Sequence, residues 1–245
     1  MESKDWFLLT TLAAIWGSAF MFIKISAVDF GPILLVTLRL LIAGLVFMPM
    51  LLRKKYRKMF KSHLPGILII AVFSNALPFT LFAYASLGAT SNMLGILNGT
   101  TAFMTTIIAY FWLQESISSK QLIGLAAGFI GVFILVNPAN ASSTITASIC
   151  ALVGSLCYAF NGNYLQKHHS KSNKKVLIGW SMFCGGLFMI PLAAFNMPSS
   201  MPSFNSFMAL MWLAVISTGI GYLGYIRLIS RIGAVKTSTL TYLLP

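Results

Sequence analysis

The chain predicts an all-α polytopic membrane protein built as an inverted repeat of five-helix units. The second unit is incomplete, giving eight complete transmembrane helices plus part of a ninth. Three observations carry this expectation. Hydrophobic residues make up 58% of the 245 residues and charged ones 9%, against roughly 25% charged in ordinary soluble domains. The apolar residues gather into runs near the roughly 20 residues a bilayer span needs. Of the 17 Lys and Arg, fourteen fall in alternate gaps between those runs, and the gaps in between hold none.

The fourteen are Lys4, then Arg53, Lys54, Lys55, Arg57, Lys58 and Lys61, then Lys120, then Lys167, Lys171, Lys174 and Lys175, and finally Arg231 and Lys236. The cation-free gaps are Asp29-Phe30-Gly31-Pro32, Leu87-Gly88-Ala89, 137–145 and 196–206. With the N-terminus in the cytoplasm this is the positive-inside rule followed throughout. The net charge of +13 is then juxtamembrane and drawn to the headgroups of the lipid bilayer. No basic region stands clear of the membrane, so no nucleic acid is expected as a partner.

Taken in order, spans are expected at 6–28, 32–52, 65–87, 90–113, 121–136, 146–166, 176–195 and 207–228, with a ninth beginning near Thr237. The first opens behind Glu2, Lys4 and Asp5 rather than a basic leader, which argues for a span and against a cleavable signal peptide. The second carries Arg39. The third contains Ser74, Asn75 and Pro78, and the proline leaves the carbonyl of Ser74 without its helical donor. The fourth places Asn98, Thr101 and Thr105 three and four apart, on one face. The fifth has almost no polar residue, and its Gly124-x-x-x-Gly128 suits close packing or a homodimer contact. The sixth repeats the polar stripe with Ser155, Tyr158 and Asn161, and the eighth with Thr218, Gly221, Tyr222 and Tyr225. Gly219, Gly221 and Gly224 soften the eighth at the depth of Pro78 in the third. Paired interruptions of this kind mark hinges and a binding site near the midplane.

The chain also resembles itself. Residues 82–91 read against 227–236, an offset of 145, and Ser18-Ala19-Phe20 against Tyr158-Ala159-Phe160, an offset of 140. Five spans precede the second copy, and an odd number inverts it. The units are 1–138 and 139–245. At that offset Thr100 corresponds to Pro245, so a ten-helix protein truncated within its ninth helix is expected.

Charges inside a bilayer cost about 2.5–3.5 kcal/mol on insertion scales, so each is a functional candidate. Lys24 and Arg39 lie toward the external side, placed to pair with Asp29 or to meet an anionic substrate group such as a carboxylate. The competing reading for both Lys24 and Arg39 is snorkelling to the outer interface, and Arg227, near a cytoplasmic end, fits that reading. Expected substrate-binding residues are Trp16, Lys24, Arg39, Asn75, Asn98, Thr101, Tyr158, Asn161, Tyr222 and Tyr225, with Pro78, Gly219, Gly221 and Gly224 as helix breaks. Each polar stripe has a plainer alternative in helix–helix hydrogen bonding, worth about 0.6 kcal/mol on average. Glu2, Asp5, Asp29, Glu115, His63, His168 and His169 all map to ends or loops. A mid-membrane proton relay and a general base for catalysis are therefore both missing, and facilitated transport or exchange is expected rather than an enzyme. Cys150, Cys157 and Cys184 have no metal-ligand spacing; no metal or cofactor is expected.

Several stretches resemble the drug/metabolite transporter superfamily, specifically its EamA-type ten-helix exporters. They are Trp16-Gly17-Ser18-Ala19-Phe20 with Lys24, Arg39 followed by Ala43, and Leu113-Gln114-Glu115-Ser116-Ile117. Gln121-Leu122-Ile123-Gly124 with Gly131-Val132, and Tyr242-Leu243-Leu244-Pro245, complete the set. Two positions depart from the pattern: Gly99-Thr100-Thr101 stands where the family has a proline, and Ser116 where arginine commonly follows the glutamate. The resemblance implies a multi-pass inner-membrane exporter. The cavity of Asn, Thr, Tyr and Trp suits a small-molecule substrate such as an amino acid or a related amphiphilic solute, carried by alternating access. The alternative is a non-transporting membrane receptor or assembly partner, and a channel would need a ring of polar groups along a pore.

Overall fold

The computed structural model describes residues 2–136 and 144–243; most of the cation-free gap at 137–145 lies outside them, as do Leu244 and Pro245. Every regular element among the described residues is helical. Seven helices are long and apolar enough to cross a bilayer: α1 (Ser3–Phe30), α2 (Pro32–Leu51), α4 (Leu64–Gly88), α5 (Ser91–Leu113), α7 (Ile145–His169), α8 (Lys174–Ala194) and α9 (Phe204–Gly233). Between them lie a short cationic helix, α3 (Lys54–Ser62), and α6 (Ser119–Val136), which occupies the position of the expected fifth span.

A bilayer leaves no water for exposed backbone groups, so a helix that satisfies its own amides is the form such apolar runs take. Their ends are set locally. Gly31, at φ 70, makes the single-residue turn from α1 into α2, and Pro32 opens the new helix, where a missing N–H costs nothing. Thr90, Thr144 and Ser203 cap α5, α7 and α9, their hydroxyls accepting from the amides of Met93, Ala147 and Ser206. A helix break falls at Gly233, at φ 84 and ψ 171, ahead of Thr237, where the ninth span is expected to begin. Glycine takes that conformation at no side-chain cost. The remaining described residues, 234–243, end in a 3-10 turn, Thr239–Leu243, that packs against α1 and α5.

Three helices carry wide π turns: Ala71–Ala76 in α4, Ala109–Leu113 at the end of α5 and Trp212–Ile220 in α9. The first lies just before Pro78, whose ring and missing N–H disrupt the hydrogen-bond ladder. The second stops at Gln114, the one non-glycine residue with positive φ among those described.

The helices interlock in a reciprocal pattern. α2 packs along α8, α1 along α9, and α4 along α7. The α2–α8 seam is close because glycines line it. A Cβ on Gly44 would stand 2.9 Å from the Cα of Phe183, and one on Gly186 2.8 Å from Leu41. Small residues of this sort let backbones approach in lipid, where apolar surface alone gives no drive to associate. α5 is bonded to α7 through Ser155 Oγ to the Leu97 carbonyl (3.2 Å) and Asn163 Nδ2 to the Thr105 carbonyl (3.0 Å). Both ends of α1 are tied to α9. Arg231 pairs with Glu2 (2.8 Å) and Asp5 (2.7 Å). At the other end, Asp29 accepts from the Ser203 amide (2.9 Å), the Ser203 hydroxyl (2.6 Å) and the Ser206 hydroxyl (2.7 Å). Gly128 of the expected Gly-x-x-x-Gly lies against the ring of Tyr242, so it packs within the chain.

Candidate functional site

A cavity of about 100 Å³ lies between the helices, walled by α1, α2, α4, α5, α7, α9 and the segment that holds Thr237, Leu240 and Thr241. A void needs only about 10–15 Å³ by this measure to hold a water, so there is room for a small solute. Seven of its twenty lining residues are aromatic. From α1, Trp16 stands 5.7 Å from Tyr222 and 5.4 Å from Tyr225 of α9, centroid to centroid. On the opposite side Phe82 of α4 stacks on Tyr158 of α7, 5.8 Å apart and 15° from parallel. Phe79 stands between the two groups, 6.4 Å from Tyr158 and 6.5 Å from Tyr222.

The π turns supply backbone acceptors for this box. Trp16 Nε1 donates to the Ser217 carbonyl at 2.8 Å, and the Tyr222 hydroxyl donates to the Ser74 carbonyl at 3.3 Å. Those two carbonyls sit within the irregular stretches of α9 and α4. Gly221 makes the first contact possible, since a Cβ there would meet Trp16 Nε1 at 2.7 Å.

One charge faces the box. Arg39 is 6% exposed, its Nε donates to Thr218 Oγ1 at 2.7 Å, and its guanidinium carbon sits 4.0 Å over the Phe79 ring. Among the described residues no carboxylate reaches it. Glu2 and Asp5 hold Arg231, Asp29 holds Ser203 and Ser206, and Glu115 accepts from Gln166. A buried cation without a counter-charge is costly. Two acceptors lining the same cavity are also buried and, among the described residues, without a hydrogen-bond partner, Asn161 Oδ1 and Ser217 Oγ. On α5, Asn98 Oδ1 accepts from Thr101 Oγ1 at 3.2 Å, which leaves the amide nitrogen for another group.

Of the expected substrate-binding residues, Trp16, Arg39, Asn98, Thr101, Tyr158, Asn161, Tyr222 and Tyr225 line this cavity. Lys24 and Asn75 do not. Lys24 is exposed and its Nζ donates to the Ala89 carbonyl at 3.3 Å. It does not pair with Asp29, because residues five apart on a helix do not share a face and Asp29 is committed to α9. Asn75 is fully buried and turned toward α8, where Nδ2 donates to Ser181 Oγ at 3.0 Å; its neighbour Ser74 faces the cavity instead. Pro78 stands at the exit of the π turn in α4. Gly219 lies inside the π turn of α9 against Val46, and Gly224 packs on Leu8 and Leu12. Phe79, Phe82, Thr237 and Thr241 line the cavity without having been expected. The two threonines are four apart, a helical spacing that was there to be read; the two phenylalanines have nothing in their spacing to separate them from packed core. Cys157 is buried, Cys150 and Cys184 half-buried, and all are free. Among the described residues no three His, Cys, Asp or Glu side chains come together to hold a metal ion.

The EamA-like transporter family matches residues 5–137 and again 145–245. An uncharacterized transporter of Archaeoglobus fulgidus is 23% identical over 242 residues, covering 99% of this chain and 86% of its own. The uncharacterized inner membrane transporter YedA of Escherichia coli is 23% identical over 257 residues, 97% of this chain and 78% of its own. A protein of Salmonella typhimurium named "Probable amino-acid metabolite efflux pump" is 23% identical over 267 residues, 100% of this chain and 84% of its own. A solved crystal structure superposes on 100% of this chain and 86% of its own, with a TM-score of 0.66 at 15% identity, a likeness of fold.

Proposed function

The chain belongs to the EamA-like transporter family, and from that premise we propose that it exports small carboxylate-bearing metabolites, amino acids or related amphiphilic solutes, through the Arg39 cavity. The observation that carries the reading is Arg39 itself, buried against Phe79 and Thr218 with every acidic residue of the chain engaged elsewhere. A solute carboxylate completes that charge with charge-assisted hydrogen bonds. The partnerless Asn161 Oδ1 and Ser217 Oγ accept from an ammonium group, and the faces of Trp16, Tyr222 and Tyr225 hold an apolar body or a cation. The outward direction and the inner-membrane location follow the relatives' names.

The reading includes alternating access between two inverted repeats. Its support is the double family match with its seam between 137 and 145, and the reciprocal packing in which α1 meets α9 as α7 meets α4, with α2 and α8 together on the axis. The cation-bearing helix ends face the cytoplasm under the positive-inside rule. The lining includes no carboxylate and no imidazole, so exchange or facilitated flux along the solute's own gradient is the mode. Counterflow in proteoliposomes loaded with a mixed metabolite pool tests this. Exchange of carboxylate solutes, with their amides and esters excluded, is the expected result. No exchange of any solute by correctly inserted protein would overturn it.

A further inference from the structure

We infer that α3, with the turn between α7 and α8, forms a docking surface for anionic lipid headgroups on the cation-bearing side of the bundle. α2 ends at Leu51 and α4 starts at Leu64, and both cross the membrane. Between them the chain forms a nine-residue helix, Lys54–Ser62, only about 14 Å long at ~1.5 Å per residue. Anchored at both ends by spans, it cannot leave the headgroup layer.

Its rotation is locked. Tyr56, Met59 and Phe60, at spacings of three and four, are its half-buried residues. Phe60 lies 4.7 Å from Trp180 of α8, and Trp180 Nε1 donates to the Tyr56 carbonyl at 3.3 Å. With that stripe held against the protein, Lys54, Lys55, Arg57, Lys58 and Lys61 are all exposed. At the far end, the His63 ring lies 3.4 Å from Ser172 Oγ, which brings the α7–α8 turn with Lys171, Lys174 and Lys175 beside it.

This face has no counter-charge of its own. α3 contains no acid, and the chain's four acidic residues are engaged as described above. Lys54 with Lys58 and Arg57 with Lys61 are like charges four apart, which destabilises an isolated helix. The neutralising groups must come from outside, and at the headgroup layer they are lipid phosphates, which attract each such cation.

The test is native mass spectrometry of the full chain in detergent, titrated with equimolar phosphatidylglycerol and phosphatidylcholine. The wild type is expected to retain the anionic lipid about tenfold better. Combining Lys54→Gln, Arg57→Gln, Lys58→Gln and Lys61→Gln should abolish that preference, while combining Lys54→Arg, Lys58→Arg and Lys61→Arg, with Arg57 retained, should keep it. All four side chains are exposed, and the thermal midpoint of each variant confirms its fold. Equal retention of both lipids, or an undiminished preference in the glutamine variant, would overturn the inference. Displacement of the lipid by millimolar inorganic phosphate would do so too, assigning the face to soluble anions.

Discussion

Arg39→Gln separates a carboxylate anchor from a structural arginine. In the structure the guanidinium is buried, bonded to one neutral hydroxyl and laid over one ring. Hydrogen bonds to charged groups contribute about 1.5–3 kcal/mol, and every ~1.4 kcal/mol is tenfold in affinity. Solutes that use their carboxylate at Arg39 should therefore bind the variant roughly 10- to 100-fold more weakly by these magnitudes. Their methyl esters and amides, which have no charge to offer, should change little. Stability should not fall with affinity. The substitution removes an uncompensated buried cation, at the loss of one hydrogen bond and a cation–π contact of about 2 kcal/mol or less, so the thermal midpoint should hold within a few degrees. The assay is half-saturation in counterflow for an acid and its ester, in wild type and variant, with thermal unfolding alongside. Equal losses for acid and ester would refute the anchor, as would no loss for either.

Gly221→Ala places a Cβ 2.7 Å from Trp16 Nε1 and should displace Trp16 from the Ser217 carbonyl; overpacking of this kind costs about 1–3 kcal/mol. Flux should fall while expression and insertion persist, and intrinsic tryptophan fluorescence should shift; an unchanged spectrum would show the indole had not moved. Asn161→Leu removes an acceptor that has no protein partner, so it should leave the thermal midpoint unchanged or raised. Affinity for solutes with a free ammonium should drop about tenfold, in line with a charge-assisted bond, and N-acetylated analogues should be spared.

Much of the architecture was legible because membranes impose simple rules. Helix ends can be read from where Lys54, Lys174 and Arg231 fall, and α-helical form from the length of the runs between them. The cavity lining was legible where a residue is chemically out of place: Arg39 in an apolar run, and Asn98 and Asn161 each at helical spacing with polar neighbours. Pro78 showed that the Ser74 carbonyl would be free; it did not show that Tyr222, 148 positions away, donates to it. Asn75 and Ser74 are adjacent, and the π turn decides which of them faces the cavity. No periodicity anticipates that turn. Lys24 falls outside the cavity, which the sequence does not show, because its depth is readable but its rotation is not. Phe79 was overlooked because a phenylalanine in a membrane helix looks alike whether it faces core, lipid or substrate.

The central claim is that the transported solute sits in the Arg39 cavity. The most direct measurement is substrate protection of a single thiol on its wall. With Cys150, Cys157 and Cys184 replaced by serine, Thr105→Cys offers that thiol beside Asn98 and Thr101. Alkylation by a small maleimide in proteoliposomes should slow severalfold when a solute identified by counterflow is present at saturation, and that protection should vanish when Arg39→Gln is added. Alkylation at the same rate with and without an exchanging solute would contradict the account, because the solute would then cross elsewhere.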